Sequence, residues 1–220
     1  MARFTNQAQL RYGNAVTNSN IAVGEILEVL SATKTAVRNT YGQSDTVTYI
    51  VSIVNSGTTP ITGISVTDNL GEYTFGTTTL VPLTYIDGTV KYYVNGVLQP
   101  SAVVTAGPPL VVSGITVPAG GSVTVAYEAA VNEFAPLDTT SVINNTAIVA
   151  GTGITPITAE EEITVESTPV LTITKSVSPV PVTENGTLTY TFLIQNSGNV
   201  AADASTGVVV TDVFDPVLSN

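Results

Sequence analysis

The chain has 220 residues, room for one or two domains, and only 10% of them are charged, far below the roughly 25% of an ordinary soluble domain. Its net charge is -11, from 17 acidic and 6 basic residues, which argues against nucleic acid and against anionic membranes, since both call for Lys/Arg patches. It has no Cys, His or Trp, so disulfides, the common zinc, haem and thiolate sites, and a Ser-His-Asp triad are excluded.

Met1-Ala2-Arg3-Phe4 opens the chain without the apolar core of a signal peptide. No stretch reaches the ~20 apolar residues of a membrane-spanning helix. A surface protein with this start is expected either to have had its signal removed or to leave its cell by another route. Residues 1–29 read as a β-hairpin segment. Asn6-Gln7-Ala8 resembles Asn145-Thr146-Ala147, and Ile21-Ala22-Val23 resembles Ile163-Thr164-Val165. That likeness marks the segment as the closing strand pair of a preceding repeat.

Strand signals then follow one another. Val47, Tyr49, Val51 and Ile53 alternate with Thr46, Thr48, Ile50 and Ser52, the period-two pattern of a half-buried strand. The run ends in Asn55-Ser56-Gly57, expected as a turn with a positive φ, and Ile64–Asp68 reads as the next strand. Further strands are expected near 80–86, 89–94, 110–116, 121–131, 142–150 and 157–166. Asp87-Gly88, Asn95-Gly96, Gly107-Pro108-Pro109, Gly120-Gly121 and Gly151-Thr152-Gly153 punctuate them. Asn95-Gly96 between Tyr92-Tyr93-Val94 and Val97-Leu98 is the clearest hairpin turn. Many short strands with Gly/Pro punctuation and no helical periodicity predict an all-β, immunoglobulin-like antiparallel β-sandwich.

The chain also repeats itself. Residues 34–57 match residues 175–198 at a constant offset of 141. The identities are Lys34/Lys175, Thr46/Thr187, Thr48/Thr189, Tyr49/Tyr190, Ile53/Ile194, Asn55/Asn196, Ser56/Ser197 and Gly57/Gly198. Leu188, Tyr190, Phe192 and Ile194 keep the register of the first copy, and Val208–Thr211 followed by Asp212 is the expected counterpart of Ile64–Asp68. A period of this size means tandem domains, since solenoid repeats run about 20–50 residues. The expected organisation is a hairpin segment at 1–29, a complete sandwich repeat at 30–167 and the first half of a second at 168–220.

The set Leu171–Lys175, Leu188-Thr189-Tyr190 through Asn196-Ser197-Gly198, and Val208–Asp212 resembles the repeat called domain of unknown function 11, found in bacterial and archaeal surface proteins. The resemblance covers about 30–220. It implies an immunoglobulin-like sandwich, a stalk or surface-array role, and for some members a place in appendages on bacterial spores.

Lys34 on the first strand of its domain, with Asn144 and Asn145 on a late one, has the makings of an intramolecular isopeptide bond. That chemistry needs a neutral, buried amine and a nearby protonated carboxyl, for which Asp68 and Glu128 are the candidates. The competing reading makes Lys34 an edge-strand charge that discourages aggregation. Asp68, Asp212 and Asp215 at strand ends are weak candidates for calcium, against the ordinary role of turn-capping acceptor. Glu160-Glu161-Glu162 reads as a solvated edge with one member able to turn inward. No catalytic set and no cofactor are expected, so the chain reads as a non-enzyme. The expected function is a structural module of an extracellular or spore-surface fibre, self-associating by strand exchange. The alternative is an adhesin module binding a host protein or glycan through loops near Tyr85, Tyr92 and Tyr93.

Overall fold

The computed structural model describes residues 2–26, 29–100, 102–203, 205 and 207–213. The chain falls into two compact units, Met1–Ala135 with Ile143–Ile163, and Pro136–Val142 with Thr164–Asn220. No helix among the described residues is long and apolar enough to cross a membrane.

Unit 1 starts with a long two-stranded ribbon. β1 (Ala2–Asn6) pairs antiparallel with β4 (Ala22–Ile26), and inside it β2 (Gln9–Tyr12) pairs with β3 (Ala15–Asn18). The two ladders are bridged by Ser19 N–H donating to Ala8 O at 2.8 Å. Both faces of β2 and β3 are in solvent, so the segment expected as a strand pair is a ribbon of four short strands.

The sandwich follows: β5 (Leu30–Ala36), β6 (Thr40–Tyr41), β7 (Thr46–Asn55), β8 (Ile61–Asp68), β9 (Tyr73–Phe75), β10 (Thr78–Leu80), β11 (Leu83–Tyr85), β12 (Lys91–Val94), β13 (Val97–Leu98), β14 (Val103–Thr105), β15 (Leu110–Val117), β16 (Ser122–Val131), β17 (Val142–Ala150) and β18 (Ile157–Val165). One sheet runs β13-β12-β16-β7-β5, with β11 also on β16; the other runs β14-β15-β8-β17-β18-β6. β9 and β10 form a small hairpin beside them.

The expected alternation holds. Val47, Tyr49, Val51 and Ile53 are fully buried, as are Val123, Val125 and Ala129 on the facing positions of β16. From the other sheet Ile64, Val66, Val112, Ile115, Val117, Ala147 and Val149 complete the core. Fully burying one Val or Ile side chain contributes about 1.5–3 kcal/mol, which pins every strand's register, since a one-residue slip would turn its apolar set to water. Asn95-Gly96 forms the β12–β13 turn with φ of 49° and 80°, the left-handed pair that a tight hairpin requires.

Among its described residues, unit 2 contains one antiparallel hairpin, β19 (Leu171–Ser178) with β20 (Thr189–Asn196). Every residue of β19 is exposed. Val208–Thr211, expected as a strand, is not in one. The physical reason is local: the segment makes no ladder of backbone bonds, and an extended run is a strand only when a neighbour pairs with it.

Candidate functional site

Among the described residues, four polar side chains are buried in the sandwich: Lys34, Asn55, Asp68 and Asn145. Three of them meet. Lys34 projects inward from β5, where its backbone pairs with Val51. Asp68 closes β8 and pairs with Ala147 of β17, two residues from Asn145. The ammonium and the carboxylate therefore come from opposite sheets and meet across the core.

Lys34 Nζ donates to Asp68 Oδ2 at 2.5 Å, with the two side chains 0% and 1% exposed. The Tyr127 hydroxyl donates to the same oxygen at 2.5 Å. Asn145 Nδ2 in turn donates to the Tyr127 hydroxyl at 3.2 Å, and its Oδ1 accepts the Gly71 N–H at 3.2 Å. The second carboxylate oxygen, Oδ1 of Asp68, accepts the Leu70 N–H at 2.9 Å. Tyr49 forms the wall: its ring lies 4.9 Å below Lys34 Nζ and stacks on Tyr127 with centroids 5.7 Å apart. The buried Tyr49 hydroxyl makes no well-aligned hydrogen bond with a described group, and Asn145 is the polar side chain near enough to favour its ionised form slightly.

The loop after β8 is bent to serve this cluster. Leu70 and Gly71 both have positive φ, 55° and 75°, and Leu70 is buried. A left-handed conformation at a bulky residue costs energy and persists only where the surroundings enforce it. A Cβ at Gly71 would come within 2.6 Å of Ile143 Cγ2, so no other residue fits there, and the bend aims the Gly71 N–H at Asn145.

Electrostatics follow from burial. Desolvation pushes the Lys34 ammonium down to about 8, against the opposing pull of Asp68 and, further off, Glu161. Burial, and then the charge on Asp68, hold the Tyr127 hydroxyl well above the usual tyrosine range. Tyr49 is raised by the same causes in the same order.

The structure separates the sequence candidates. Asn145 is buried and in the cluster, whereas Asn144 is exposed on the opposite face of β17. Asp68 is in the cluster. Glu128 is not: it follows Tyr127 on β16, so it faces the other way, opposite Thr48, and is half-buried. Of the residues considered for calcium, Asp68 faces Lys34, Asp212 accepts from Lys175 Nζ at 2.6 Å, and Asp215 lies outside the described residues. No group of three or more acidic side chains is gathered among the described residues. Tyr127, the bridge between carboxylate and carboxamide, was missed by sequence reasoning; its inward phase on β16, between Val125 and Ala129, was the available signal.

In unit 2, Lys175 has Asp212 as partner and the Tyr190 ring at 4.5 Å, the same trio as Lys34, Asp68 and Tyr49. There the two ionic side chains are 40% and 27% exposed.

No family model matches the chain, and no curated protein matches it. Solved structures do. A variant of BcpA, the major pilin subunit of Bacillus cereus, is similar over 89% of this chain and 64% of its own, with a TM-score of 0.50 and 11% identity. The full-length major pilin SpaD of Corynebacterium diphtheriae is similar over 66% of this chain and 36% of its own (TM-score 0.46, 15% identity). The pilus backbone RrgB of Streptococcus pneumoniae is similar over 55% and 31% (TM-score 0.43, 14% identity). The chain thus spans about one-third to two-thirds of the length of these proteins. At such identity the likeness is one of fold, an immunoglobulin-like all-β sandwich.

Proposed function

We propose that this chain is a structural module of an extracellular or spore-surface fibre, of the domain of unknown function 11 type, and that it associates with further copies by strand addition. The observation that carries this reading is a set of strands whose apolar side chains have no covering layer. On the N-terminal ribbon Leu10, Tyr12, Val16 and Val23 are 53–86% exposed. On the β19–β20 hairpin Ile173, Leu193 and Ile194 are 46–56% exposed. A two-stranded sheet is marginally stable in water by itself, and its free edges are templates for further pairing. A head-to-tail contact whose rotation does not close into a ring propagates as a filament, and that is the assembly proposed here.

Other observations agree. The buried cluster is sealed from solvent, with the Lys34 and Asp68 side chains 0% and 1% exposed. The tyrosines considered for ligand binding support the sandwich instead: Tyr85 is in the core and Tyr92 packs against it.

The test is negative-stain electron microscopy of the concentrated chain beside a variant lacking residues 1–28. Filaments or ribbons from the full chain, and dispersed particles from the shortened one, are the expected result. An oligomeric state that ignores the deletion would overturn strand addition through the ribbon.

A further inference from the structure

We infer that Lys34 and Asn145 join in an intramolecular isopeptide bond, with Asp68 and Tyr127 moving the protons and the Gly71 N–H holding the carboxamide oxygen. The inference is independent of whether the chain assembles.

The cluster carries the parts that amide exchange needs. A lysine attacks a carboxamide only as the neutral amine. Lys34 is desolvated, and its hydrogen-bonded carboxylate is placed to take the first proton. Nucleophile and electrophile converge on one atom: Lys34 Nζ touches Asp68 Oδ2 directly, and Asn145 Nδ2 reaches it through a single hydroxyl. Side chains held this way by two sheets react as one molecule, so the entropy of bringing the reactants together is lost on folding rather than during the reaction. The Gly71 N–H already sits on Asn145 Oδ1, where negative charge develops during attack, and a fixed donor in a dry site stabilises that charge. Tyr127, kept protonated by burial, is an acid rather than a phenolate.

The step balances. Lys34 passes one proton to Asp68, and the free amine adds to Cγ of Asn145. A second proton leaves Nζ and travels through Asp68 and the Tyr127 hydroxyl to Nδ2. The Cγ–Nδ2 bond breaks and ammonia departs. One Nζ–Cγ bond forms and one Cγ–Nδ2 bond breaks. Of the three ammonium protons, one remains on the new amide, one leaves with ammonia and one rests on Asp68. One amide replaces another, so no oxidant, reductant or cofactor is consumed.

The competing reading is a permanent buried ion pair that fixes sheet-to-sheet register. It accounts for Lys34 with Asp68, but not for a carboxamide held at both ends by a hydroxyl and a strained loop amide.

Intact-mass spectrometry of the full chain distinguishes the two. A mass lower than the sequence value by one ammonia is expected. Trypsin should then fail to cut after Lys34 and should release the peptide carrying it joined to the one carrying Asn145. Asn145→Ala and Asp68→Ala should restore the full sequence mass; circular dichroism of each checks that the sandwich still folds. Asn144→Ala and Glu128→Gln, which alter residues facing away from the cluster, should still lose ammonia. An unchanged mass in the native chain overturns the inference. So does a loss of ammonia mapped to a succinimide at Asn95-Gly96, or one that survives Asn145→Ala.

Discussion

Asn55 shows how one side chain organises a chain reversal. It is fully buried at the end of β7. Its Nδ2 donates to Thr59 O, Val117 O and Pro118 O at 2.9, 3.3 and 3.0 Å, and its Oδ1 accepts the Gly57 N–H at 2.9 Å. The Asn-Ser-Gly signal was expected to mark a positive φ, but Gly57 has none. The glycine is needed for closeness instead: a Cβ there would lie 3.0 Å from Asn55 Oδ1 and 3.1 Å from Val29 Cγ2. The same grammar recurs in unit 2, where Asn196 donates to Val200 O at 2.7 Å and accepts the Gly198 N–H at 3.0 Å. A Cβ at Gly198 would run into the Thr168 carbonyl. Asn196 is exposed, so water substitutes for its partners. Asn55→Ala takes the side-chain donor from the buried Val117 carbonyl, while Pro118 O keeps the Gly121 N–H at 3.1 Å, and an unsatisfied buried group costs about 1–3 kcal/mol. Urea denaturation should show Asn55→Ala losing about 2–3 kcal/mol, and Asn196→Ala losing about 1 kcal/mol or less. Equal effects would mean that burial does not decide the cost.

At the scale of elements, the edges of the sandwich are managed by side chains. β5 ends one sheet, and its Ala36 N–H is taken by Glu161 Oε1 of β18, in the other sheet, at 3.1 Å. Glu161 is half-buried while Glu160 and Glu162 are exposed, so two members of the acidic run form the solvated edge that was expected and one turns inward. Glu161→Ala should speed amide exchange at Ala36 and cost about 1 kcal/mol, while Glu160→Ala should leave that amide protected; hydrogen exchange followed by NMR reads both. The long strands were legible in the sequence because period-two alternation and burial report the same thing. Residues 110–116, 121–131, 142–150 and 157–166 fall within a residue or two of β15 to β18. The short elements β6, β9, β10 and β14 were not, since two or three residues carry no period. Of the buried cluster, Lys34, Asp68 and Asn145 were legible as residue types on first, middle and late strands. Choosing Asn145 over Asn144, or rejecting Glu128, required the phase of the strand relative to the core. Leu70 was invisible, because a strained φ at an apolar residue is imposed by the neighbours and leaves no compositional trace.

At the scale of the whole molecule, the cluster couples the stability of the sandwich to pH. Asn145→Ala keeps Lys34 as a free amine, so the titration is visible there. The groups around that amine are Asp68, Glu161, Tyr49 and Tyr127. Burial pushes Lys34 down to about 8 from an ordinary 10.5. Between those two values the unfolded chain holds a proton that the folded one has released, and stability rises with pH wherever the unfolded state binds more protons. Below pH 8 both states are protonated and the penalty of a buried ammonium is at its fullest. The tyrosines act in the opposite sense. Tyr41 is pushed up to about 12 by burial, and Tyr49 and Tyr127 are raised for the same first cause. Above their ordinary value of 10 the unfolded chain ionises first, so stability is lost. Urea midpoints of Asn145→Ala should therefore climb from pH 8 toward 10 and turn over beyond it. In the native chain a bonded Lys34 has no proton to release, so its curve should lack the rise and keep the fall. A rise of equal size in both proteins would show that Lys34 is unbonded in the native chain, and a flat response in the variant would show that the buried amine is not what titrates.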